Sequence, residues 1–502
     1  MNRLLFERST GNVGPNAFAR LHAASLVTSL WAAPEYRFDG GERGAAVHDG
    51  ELSPGNHIWA HQSGVNALAL ERFEGRILVS GGSDASIKIW DLEQYQSPDQ
   101  VSINTFKPTG TIPRCSSPSG GNGHRFGVTH LSFYPFDSAA FLSTSFDQTL
   151  KLWSTDAAKV SGSFQLGSKV YTHAVSPIAS HLLVACGTQH PAVRLVDLRS
   201  GANVQSLSGH GGAVLSASWS PRHEHVLATG SVDGTVRLWD IRRAGGAIGL
   251  LDLEDSLGLY YNGLLGVDGT GRPMVRRSRL SAKAHSAPVN GLTWTDDGNY
   301  IVSAGHDRRI RVWDAATGRN TLASFGPSIQ NNQLSGVTMF TSPQGVTPPG
   351  KELLFWPNES EVLVMDLHEG TIITRLRSVG PSTAGVRSAS GARGGERTVR
   401  NRITSLVWRG SGGGGSSSGV VTGGSNTSAA IYSAHLDGQI RAWVPALSRK
   451  SERFGSKHEG DSLDLDDDDD EDPDQKGEDR AKKRKALDDV FKSLMGKQIT
   501  FS

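Results

Sequence analysis

Short stretches of alternating apolar and polar residues recur along most of the chain, and five of them share one layout. Each has small residues, an aspartate, a tight turn and then alternation up to a tryptophan: GGSDASIKIWD (81–91), STSFDQTLKLWS (143–154), TGSVDGTVRLWD (229–240), SAGHDRRIRVWD (303–314) and SAHLDGQIRAWV (433–444). Alternation places every second side chain on one face of a strand. The Asp–Gly pairs at 233–234 and 437–438 suit hairpin turns. The pattern predicts repeated antiparallel strands.

Polar residues stand at fixed distances from each tryptophan. An aspartate lies six positions before it, a serine or threonine ten before it, and in four repeats a histidine lies 28 or 29 before it. The four complete sets are His61, Ser80, Asp84 and Trp90; His124, Ser143, Asp147 and Trp153; His210, Thr229, Asp233 and Trp239; and His285, Ser303, Asp307 and Trp313. The repeat is therefore a unit that includes its polar residues.

Two further copies are degraded, with Val196-Asp197 and Met365-Asp366 where Trp-Asp is expected, which makes seven repeats. One four-stranded sheet cannot bury both of its faces, but seven stacked radially can. We predict an all-β, seven-bladed propeller over residues 26–447. The chain turns polar after Val444-Pro445, so residues 26–38 are expected to supply the last outer strand and close the ring. Insertions are predicted at 93–122, 243–282, 378–400 and 410–428.

These repeats resemble the WD40, or WD-repeat, propellers over roughly residues 27–445. In that family the His, Ser/Thr, Asp and Trp positions form a buried hydrogen-bonded tetrad in each blade. The alternative, that His61, Asp84 and Ser80 form a hydrolase triad, is disfavoured because a catalytic triad is not expected to recur from blade to blade. The resemblance thus implies a structural role for the tetrads and a chain that is not an enzyme.

Composition narrows the class of protein further. The net charge of +1 gives no electrostatic bias toward nucleic acid or membrane, and two cysteines make no disulfide framework. No apolar stretch approaches twenty residues, so we expect a soluble intracellular protein. No metal-ligand spacing and no phosphate-binding GxxxxGK loop occurs, and we expect no metal, cofactor or small-molecule substrate. Direct DNA binding has no support in the sequence.

Both ends of the chain carry segments that do not belong to a blade. Residues 1–25 predict two short helices around STGNVGP, with Leu4, Leu5, Phe6, Phe18 and Leu21 as apolar residues for docking on a partner; a frayed terminus is the alternative. Residues 448–502 form a tail that we predict to be disordered, with an acidic run at 461–474 and a possible short helix from Leu487 to Met495. Its basic cluster resembles a nuclear localisation signal, and a solvated charge run is the alternative: Lys482, Lys483, Arg484 and Lys485.

Two neighbouring repeats end in Asp-x-Arg, with Asp197 and Arg199 in one and Asp240 and Arg242 in the next. This pair resembles the motif of WD-repeat substrate receptors of the cullin-4 ubiquitin ligase. In that family the arginine sits at the end of the third strand of a blade and meets the triple-propeller adaptor. The alternative is that these arginines pair locally or cover blade edges.

Residues between the repeat positions extend the likeness, including YPFDSAAFLSTSFDQTLKLW (134–153) and WSPRHEHVLATGSVDGTVRLWDIRRA (219–244). They are similar to the Cockayne syndrome A family. That resemblance implies a non-catalytic, nuclear substrate receptor of a cullin-4 RING ubiquitin ligase acting in transcription-coupled nucleotide excision repair. Its implied partners are the triple-propeller damaged-DNA-binding adaptor, the Cockayne syndrome B ATPase and RNA polymerase II. A general nuclear WD-repeat scaffold outside any ligase is the alternative.

Overall fold

The computed structural model describes most of the predicted propeller and part of the N-terminal segment. The described residues are 2–14, 17–18, 21, 25, 27–41, 59–94, 104–116, 121–201, 203–243, 247–253, 283–333, 335–343, 346–347, 350–377, 380–386, 397–410 and 430–445. The tail at 448–502, with Lys482 to Lys485, lies outside them, as does nearly all of the glycine-rich insertion at 410–428. The statements that follow concern the described residues.

Seven antiparallel sheets form the blades, which confirms the predicted seven-bladed propeller. We number the blades in chain order and give the strands of each blade from the innermost to the outermost. Blades 1 to 4 consist of Val65–Leu70, Ile77–Gly82, Ile87–Asp91 and Pro108–Ile112; Val128–Phe133, Ala140–Ser145, Thr149–Ser154 and Lys159–Gln165; Val170–Val175, Leu183–Thr188, Val193–Asp197 and Asn203–Leu207; and Val214–Trp219, Val226–Ser231, Val236–Asp240 and Ala247–Leu251. Blades 5 to 7 consist of Val289–Trp294, Tyr300–Gly305 and Ile310–Asp314; Phe340–Thr341, Leu353–Asn358, Glu361–Asp366 and Ile372–Arg377; and Ile403–Arg409, Ala430–His435, Ile440–Pro445 and Leu30–Ala32.

Burial between blades explains the alternation in the sequence. The second strand of each of blades 1 to 5 is almost wholly buried, because neighbouring blades cover both of its faces. The repeat tryptophans Trp90, Trp153, Trp239 and Trp313 are fully buried in separate inter-blade clusters. Each blade therefore supplies one wall of two cores, and removing one blade would expose both.

The N-terminal strand closes the ring as predicted. Leu30–Ala32 pairs antiparallel with the third strand of blade 7, in the register Leu30↔Pro445 to Ala32↔Trp443. Directly afterwards, Tyr36–Phe38 pairs in parallel with Asn104–Phe106. Phe38 packs edge-on against Trp90, with the ring centroids 5.3 Å apart. The N-terminal segment is thus fastened to blade 7 and then to blade 1.

The predicted insertions contain more regular structure than expected. The range 93–122 includes the outer strand of blade 1, Pro108–Ile112, and the range 243–282 includes that of blade 4, Ala247–Leu251. Within 378–400, Thr383–Val386 and Arg397–Arg400 form an antiparallel pair. Outer strands are half exposed and their alternation is weak, so the sequence pattern does not distinguish them from loops.

Ahead of the propeller, Asn2–Ser9 forms a helix of eight residues. The described residues of the following segment, Ala17, Phe18, Leu21, Ser25, Val27 and Thr28, are helical as well. Among the helices in the described ranges, none has the length and apolar character needed to span a membrane.

Candidate functional site

The polar tetrads are buried networks. In blade 2, His124 Nε2 lies 2.6 Å from the Ser143 hydroxyl, to which Trp153 Nε1 donates at 2.7 Å. His124 Nδ1 lies 2.9 Å from the Asp147 carboxylate, which also accepts the Arg125 backbone N–H at 3.1 Å. Burial alone would raise the pKa of Asp147, but its bonds to His124 and Thr149 lower it to about 2. The hydroxyl in this set is occupied by its neighbours and closed to solvent.

The other complete tetrads follow the same scheme with small changes. A hydroxyl lies between histidine and aspartate in blades 1 and 4, where Ser86 and Thr235 bridge the two at 2.6–2.9 Å. In blade 5, Arg311 donates to the aspartate at 2.9 Å. The hydroxyls that join histidine to tryptophan are buried: Ser80, Ser143, Thr229 and Ser303. Across the described ranges, no three His, Cys, Asp or Glu side chains gather as a metal site would require. The polar groups of each of these tetrads are therefore hydrogen-bonded to one another within a single blade.

Blade 7 has a related polar set that the spacing rule missed, in which Trp443 Nε1 makes no hydrogen bond within the described residues. His435, two residues after Ser433, places Nε2 at 2.7 Å from the Ser433 hydroxyl. Arg441 donates to His435 Nδ1 at 3.1 Å and also bonds Asp437. The histidine thus comes from the second strand of the blade instead of from the loop that precedes its first strand. The motif Ser-x-His-x-Asp is the signal that could have revealed it.

The Asp-x-Arg motifs lie on one end of the propeller. We call this end the lower face; the first and the third strand of each blade end there. Asp197 and Asp240 are the last residues of third strands, and each accepts the backbone N–H two residues later, at 3.0 and 3.1 Å. The aspartates at the same position of blades 1, 5 and 6, Asp91, Asp314 and Asp366, make the same bond at 2.9 Å. The aspartate therefore caps the turn whether or not an arginine follows.

The two arginines of the motif differ in their contacts. The Arg242 guanidinium forks onto its own Asp240, with Nε 3.0 Å and Nη2 2.7 Å from the two carboxylate oxygens. This bond lowers the pKa of Asp240 to about 2. Arg199 is exposed, and its guanidinium makes no ion pair within the described part of the chain. Arg242 therefore pairs locally, as the alternative to adaptor binding predicts. The guanidinium of Arg199 makes no such pair in the described part of the chain.

Exposed apolar side chains share the lower face with these arginines. Phe136 is 48% exposed and Ile178 is 44% exposed, each after a proline in the first turn of its blade. Phe73 is 42% exposed in the corresponding turn of blade 1. The repeat pattern does not predict these residues, although an apolar residue within a predicted turn was the available signal. Together with Arg199 and Arg242 they give the lower face of blades 1 to 4 a mixed apolar and cationic character.

The N-terminal residues predicted for docking are accessible where they are described. Leu5 is 50%, Phe6 66% and Leu21 44% exposed. The Arg8 guanidinium lies over the ring of the partly buried Phe18, 4.8 Å from its centroid. The side chain of Leu4 lies outside the described residues. This helical segment therefore presents apolar side chains that the propeller does not cover.

Comparison with known proteins identifies the repeat. The family described as WD domain, G-beta repeat matches residues 53–91, 117–154, 201–240 and 277–314. WD repeat-containing protein ATCSA-1 of Arabidopsis thaliana is 32% identical over 386 residues, which are 67% of this chain and 80% of that protein. Ribosome biogenesis protein ytm1 of Aspergillus niger is 28% identical over 52% of this chain and 54% of its own length.

Radiation-sensitive protein 28 of Saccharomyces cerevisiae is 27% identical over 42% of this chain and 43% of its own length. The two fungal proteins thus share about half of their length or less with this chain, whereas the likeness to the Arabidopsis protein covers most of both. The propeller, its buried tetrads and this likeness together show that the chain is a WD-repeat protein of the family that includes ATCSA-1.

Proposed function

We propose that this chain is the substrate-recognition subunit of a cullin-4 RING ubiquitin ligase that acts in transcription-coupled nucleotide excision repair. The observation that carries the proposal is the lower face of blades 1 to 4, where two Asp-x-Arg turns stand on adjacent blades beside exposed Phe136 and Ile178. Kinship with ATCSA-1 supports it, as does the likeness to a yeast protein named for radiation sensitivity.

In this role the chain does no chemistry of its own. A WD-repeat propeller is typically a non-catalytic scaffold, and the buried tetrads leave no nucleophile exposed. The receptor would contribute proximity and orientation by holding a substrate near the ligase subunits that transfer ubiquitin. The expected partners are the triple-propeller damaged-DNA-binding adaptor, the Cockayne syndrome B ATPase and RNA polymerase II, in the nucleus.

Two surfaces would meet the adaptor. Arg199 can offer a forked, charge-assisted pair to a partner carboxylate or carbonyl. To bind a partner in this way, Arg242 would have to weaken or break its existing hydrogen bond to Asp240. Phe136 and Ile178 would be buried beside them, and Leu5 and Phe6 would enter a groove on the partner.

Affinity purification followed by mass spectrometry tests the assignment. Full-length chain should recover the adaptor, and Arg199→Glu should recover much less of it. Arg319→Glu is the matched control, because Arg319 is an exposed arginine in the equivalent turn of blade 5. Equal recovery by Arg199→Glu and Arg319→Glu would contradict the role of the Asp-x-Arg face.

The second candidate is a nuclear scaffold outside any ubiquitin ligase. The likeness to ribosome biogenesis protein ytm1 favours it, although that likeness covers about half of each chain. The same purification separates the two proposals. Recovery of preribosomal proteins without the cullin-4 adaptor would support the scaffold and reject the receptor.

A further inference from the structure

Two phenylalanines are exposed at the end of blade 2 that lies opposite the lower face. We call this end the upper face; the first and the third strand of each blade begin there. Phe126, just before the first strand, is 48% exposed, and Phe146, in the turn before the third strand, is 36% exposed. The other blades with complete tetrads have Ser63, Gly212 and Ala287 at the first position, and Ser83, Val232 and His306 at the second. The repeat itself therefore does not require an aromatic ring at either position.

Hydrogen bonds tie the loop of Phe126 to the turn of Phe146. The Ser145 hydroxyl donates to the Phe126 carbonyl oxygen at 2.7 Å, and Phe146 N–H donates to the Gly127 carbonyl oxygen at 3.3 Å. The Phe146 ring also meets the partly buried ring of Tyr171 in blade 3, with the centroids 6.1 Å apart. Because these loops are already held in place, ordering them when a ligand binds costs little.

Two cations stand beside these rings. The Arg125 guanidinium lies over the Phe126 ring, 5.8 Å from its centroid. An arginine stacked in this way can still donate hydrogen bonds from its edge. Lys169 is exposed two residues before Tyr171, at the same end of blade 3. Within the described residues, neither Arg125 nor Lys169 makes an ion pair, so both charges can meet a ligand.

Accessible carboxylates are scarce on this part of the upper face. The loops and turns concerned are 124–127, 145–149, 166–171 and 188–192, and their one acidic residue is Asp147. Its side chain is 5% exposed and lies 2.9 Å from His124 Nδ1. An aromatic surface with two cations and no accessible carboxylate repels a methylated lysine and attracts an anionic ligand.

Two kinds of anionic ligand can pack on aromatic rings, an acidic peptide and a single strand of nucleic acid. Nucleic-acid binding draws much of its affinity from many phosphate contacts, whereas this surface offers two cations. The rings of Phe146 and Tyr171 meet at 80°, so they do not form a parallel platform for successive bases. Both observations favour the peptide.

We propose that the upper face of blades 2 and 3 binds a short acidic peptide segment of a partner protein, anchored by an aromatic side chain within that segment. The anchor would pack against Phe126 and Phe146, and carboxylates on either side of it would pair with Arg125 and Lys169. The site is on the opposite end of the propeller from the Asp-x-Arg motifs, and it does not depend on the ligase assignment.

The test measures fluorescence anisotropy of a labelled peptide, with one phenylalanine between two pairs of aspartates, in the presence of the whole chain. Binding is expected, and Phe146→Ser should weaken it about tenfold, because the peptide then buries less apolar area. Val232→Ser is the matched control, since Val232 is exposed at the same position of blade 4, and it should leave the affinity unchanged. Thermal melts check that both variants are folded.

A second pair of variants tests the charge. Arg125→Glu should weaken binding about tenfold, because attraction becomes repulsion. Arg309→Glu, the same change at an exposed arginine on the upper face of blade 5, should have no effect. Peptides with serine in place of the phenylalanine, or with asparagines in place of the aspartates, should also bind more weakly to the unaltered chain.

Three results would overturn the proposal. The first is that the original peptide does not bind, and the second is that the serine peptide binds equally well. The third is that Phe146→Ser and Arg125→Glu weaken binding no more than Val232→Ser and Arg309→Glu do. If a labelled strand of ten thymidine nucleotides bound and the peptide did not, the surface would be a site for nucleic acid instead.

Discussion

At the scale of single residues, the most regular polar residues of this chain are hydrogen-bonded to one another inside the blades. Each of the four complete repeats directs a histidine, a hydroxyl, an aspartate and an indole N–H toward one another, so that groups which would be costly to bury alone satisfy each other. Asp233 illustrates the aspartate's part: it accepts the Gly211 N–H and the Thr235 hydroxyl, both at 2.6 Å. The same atoms could be mistaken for a catalytic set if only one repeat were considered.

Replacing Asp233 by alanine should lower the free energy of unfolding by about 1–3 kcal/mol, because the buried Thr235 hydroxyl and the Gly211 N–H lose their acceptor. Urea denaturation measures the change. Asp156→Ala is the control, since Asp156 is exposed, and it should cost little. If Asp233→Ala kept its stability and partner binding but abolished an activity, a catalytic role would have to be reconsidered.

A second residue-scale feature is a pair of histidines on the inner strands of blades 2 and 3. His130 and His173 place their Nδ1 atoms 3.3 Å apart, and His173 Nε2 lies 2.7 Å from the Ser132 hydroxyl. Burial lowers the pKa of His130 to about 4, and burial together with the charge of His130 lowers that of His173 well below its usual value. Both are therefore neutral in the folded protein at pH 7.

This pair should make the folded state sensitive to acid. Because the folded pKa lies below the unfolded value of about 6.5, the unfolded chain binds more protons as the pH falls below that value. Above about pH 6.5 this pair does not reduce the free energy of unfolding. From there toward pH 4.5, the free energy of unfolding declines by about 1.4 kcal/mol per pH unit for each such histidine. Urea melts of His173→Gln should show a shallower decline than those of the wild type. Parallel declines would show that His173 is not involved.

At the scale of elements, the decisive one is the short N-terminal strand. Leu30–Ala32 completes blade 7, and Val27 and Leu30 are buried beside Ile431 and Trp443. A strand supplied from the other end of the chain makes closure of the ring depend on residues far apart in sequence. The helix Asn2–Ser9 precedes it and contributes exposed side chains instead.

Two truncations should separate these elements. Removing residues 1–33 deletes the closing strand with Val27 and Leu30, each worth about 1.5–3 kcal/mol of burial, and should lower the melting temperature strongly or prevent folding. Removing residues 1–10 should leave the melting temperature nearly unchanged. Thermal unfolding of both proteins provides the measurement. Equal stability of the two truncated chains would mean that the ring does not need its N-terminal strand.

At the scale of the whole molecule, adaptor binding should depend on two separate parts. Replacing Leu5 and Phe6 by alanine removes exposed apolar anchors and should mainly speed dissociation. Arg199→Ala should weaken binding as well, and Arg199→Lys should not restore it fully, since an ammonium lacks the fork. Surface plasmon resonance with the purified adaptor measures the rates of association and dissociation, and thermal melts check that the variants are folded. Unchanged affinity in both variants would leave the receptor assignment without its physical basis.

The basic cluster of the tail is a further whole-molecule prediction. A fusion of residues 476–502 to a fluorescent reporter should concentrate in the nucleus, because Lys482 to Lys485 would be read as a localisation signal. Neutralising the four basic residues in the fusion is the control. An evenly distributed reporter, with the full-length chain still nuclear after neutralisation, would reject the cluster as the signal.

Much of the propeller could be predicted from the sequence, because the residues that define a blade lie close together in the chain and their pattern recurs. Asp84 to Trp90 is one turn and one strand, and the same spacing in five repeats showed where the tetrads lie. With the two degraded copies it also gave the number of blades. Closure also followed, since a last blade that stops at Pro445 lacks a strand that residues 26–38 can supply. These features need only the strand period and the burial of both blade faces.

Other features were decided by contacts that the repeat spacing does not encode. His435 replaces the missing histidine of blade 7 because Arg441 and Ser433 reach it across the sheet. Arg242 forks onto Asp240 while Arg199 does not, although both stand in the same motif. The fourth strand of blade 5 is lost because Phe325 packs with blade 6. In each case the local sequence allows more than one conformation. The conformation that forms is determined by packing between residues on different strands or blades, and the alternation of apolar and polar residues does not specify that packing.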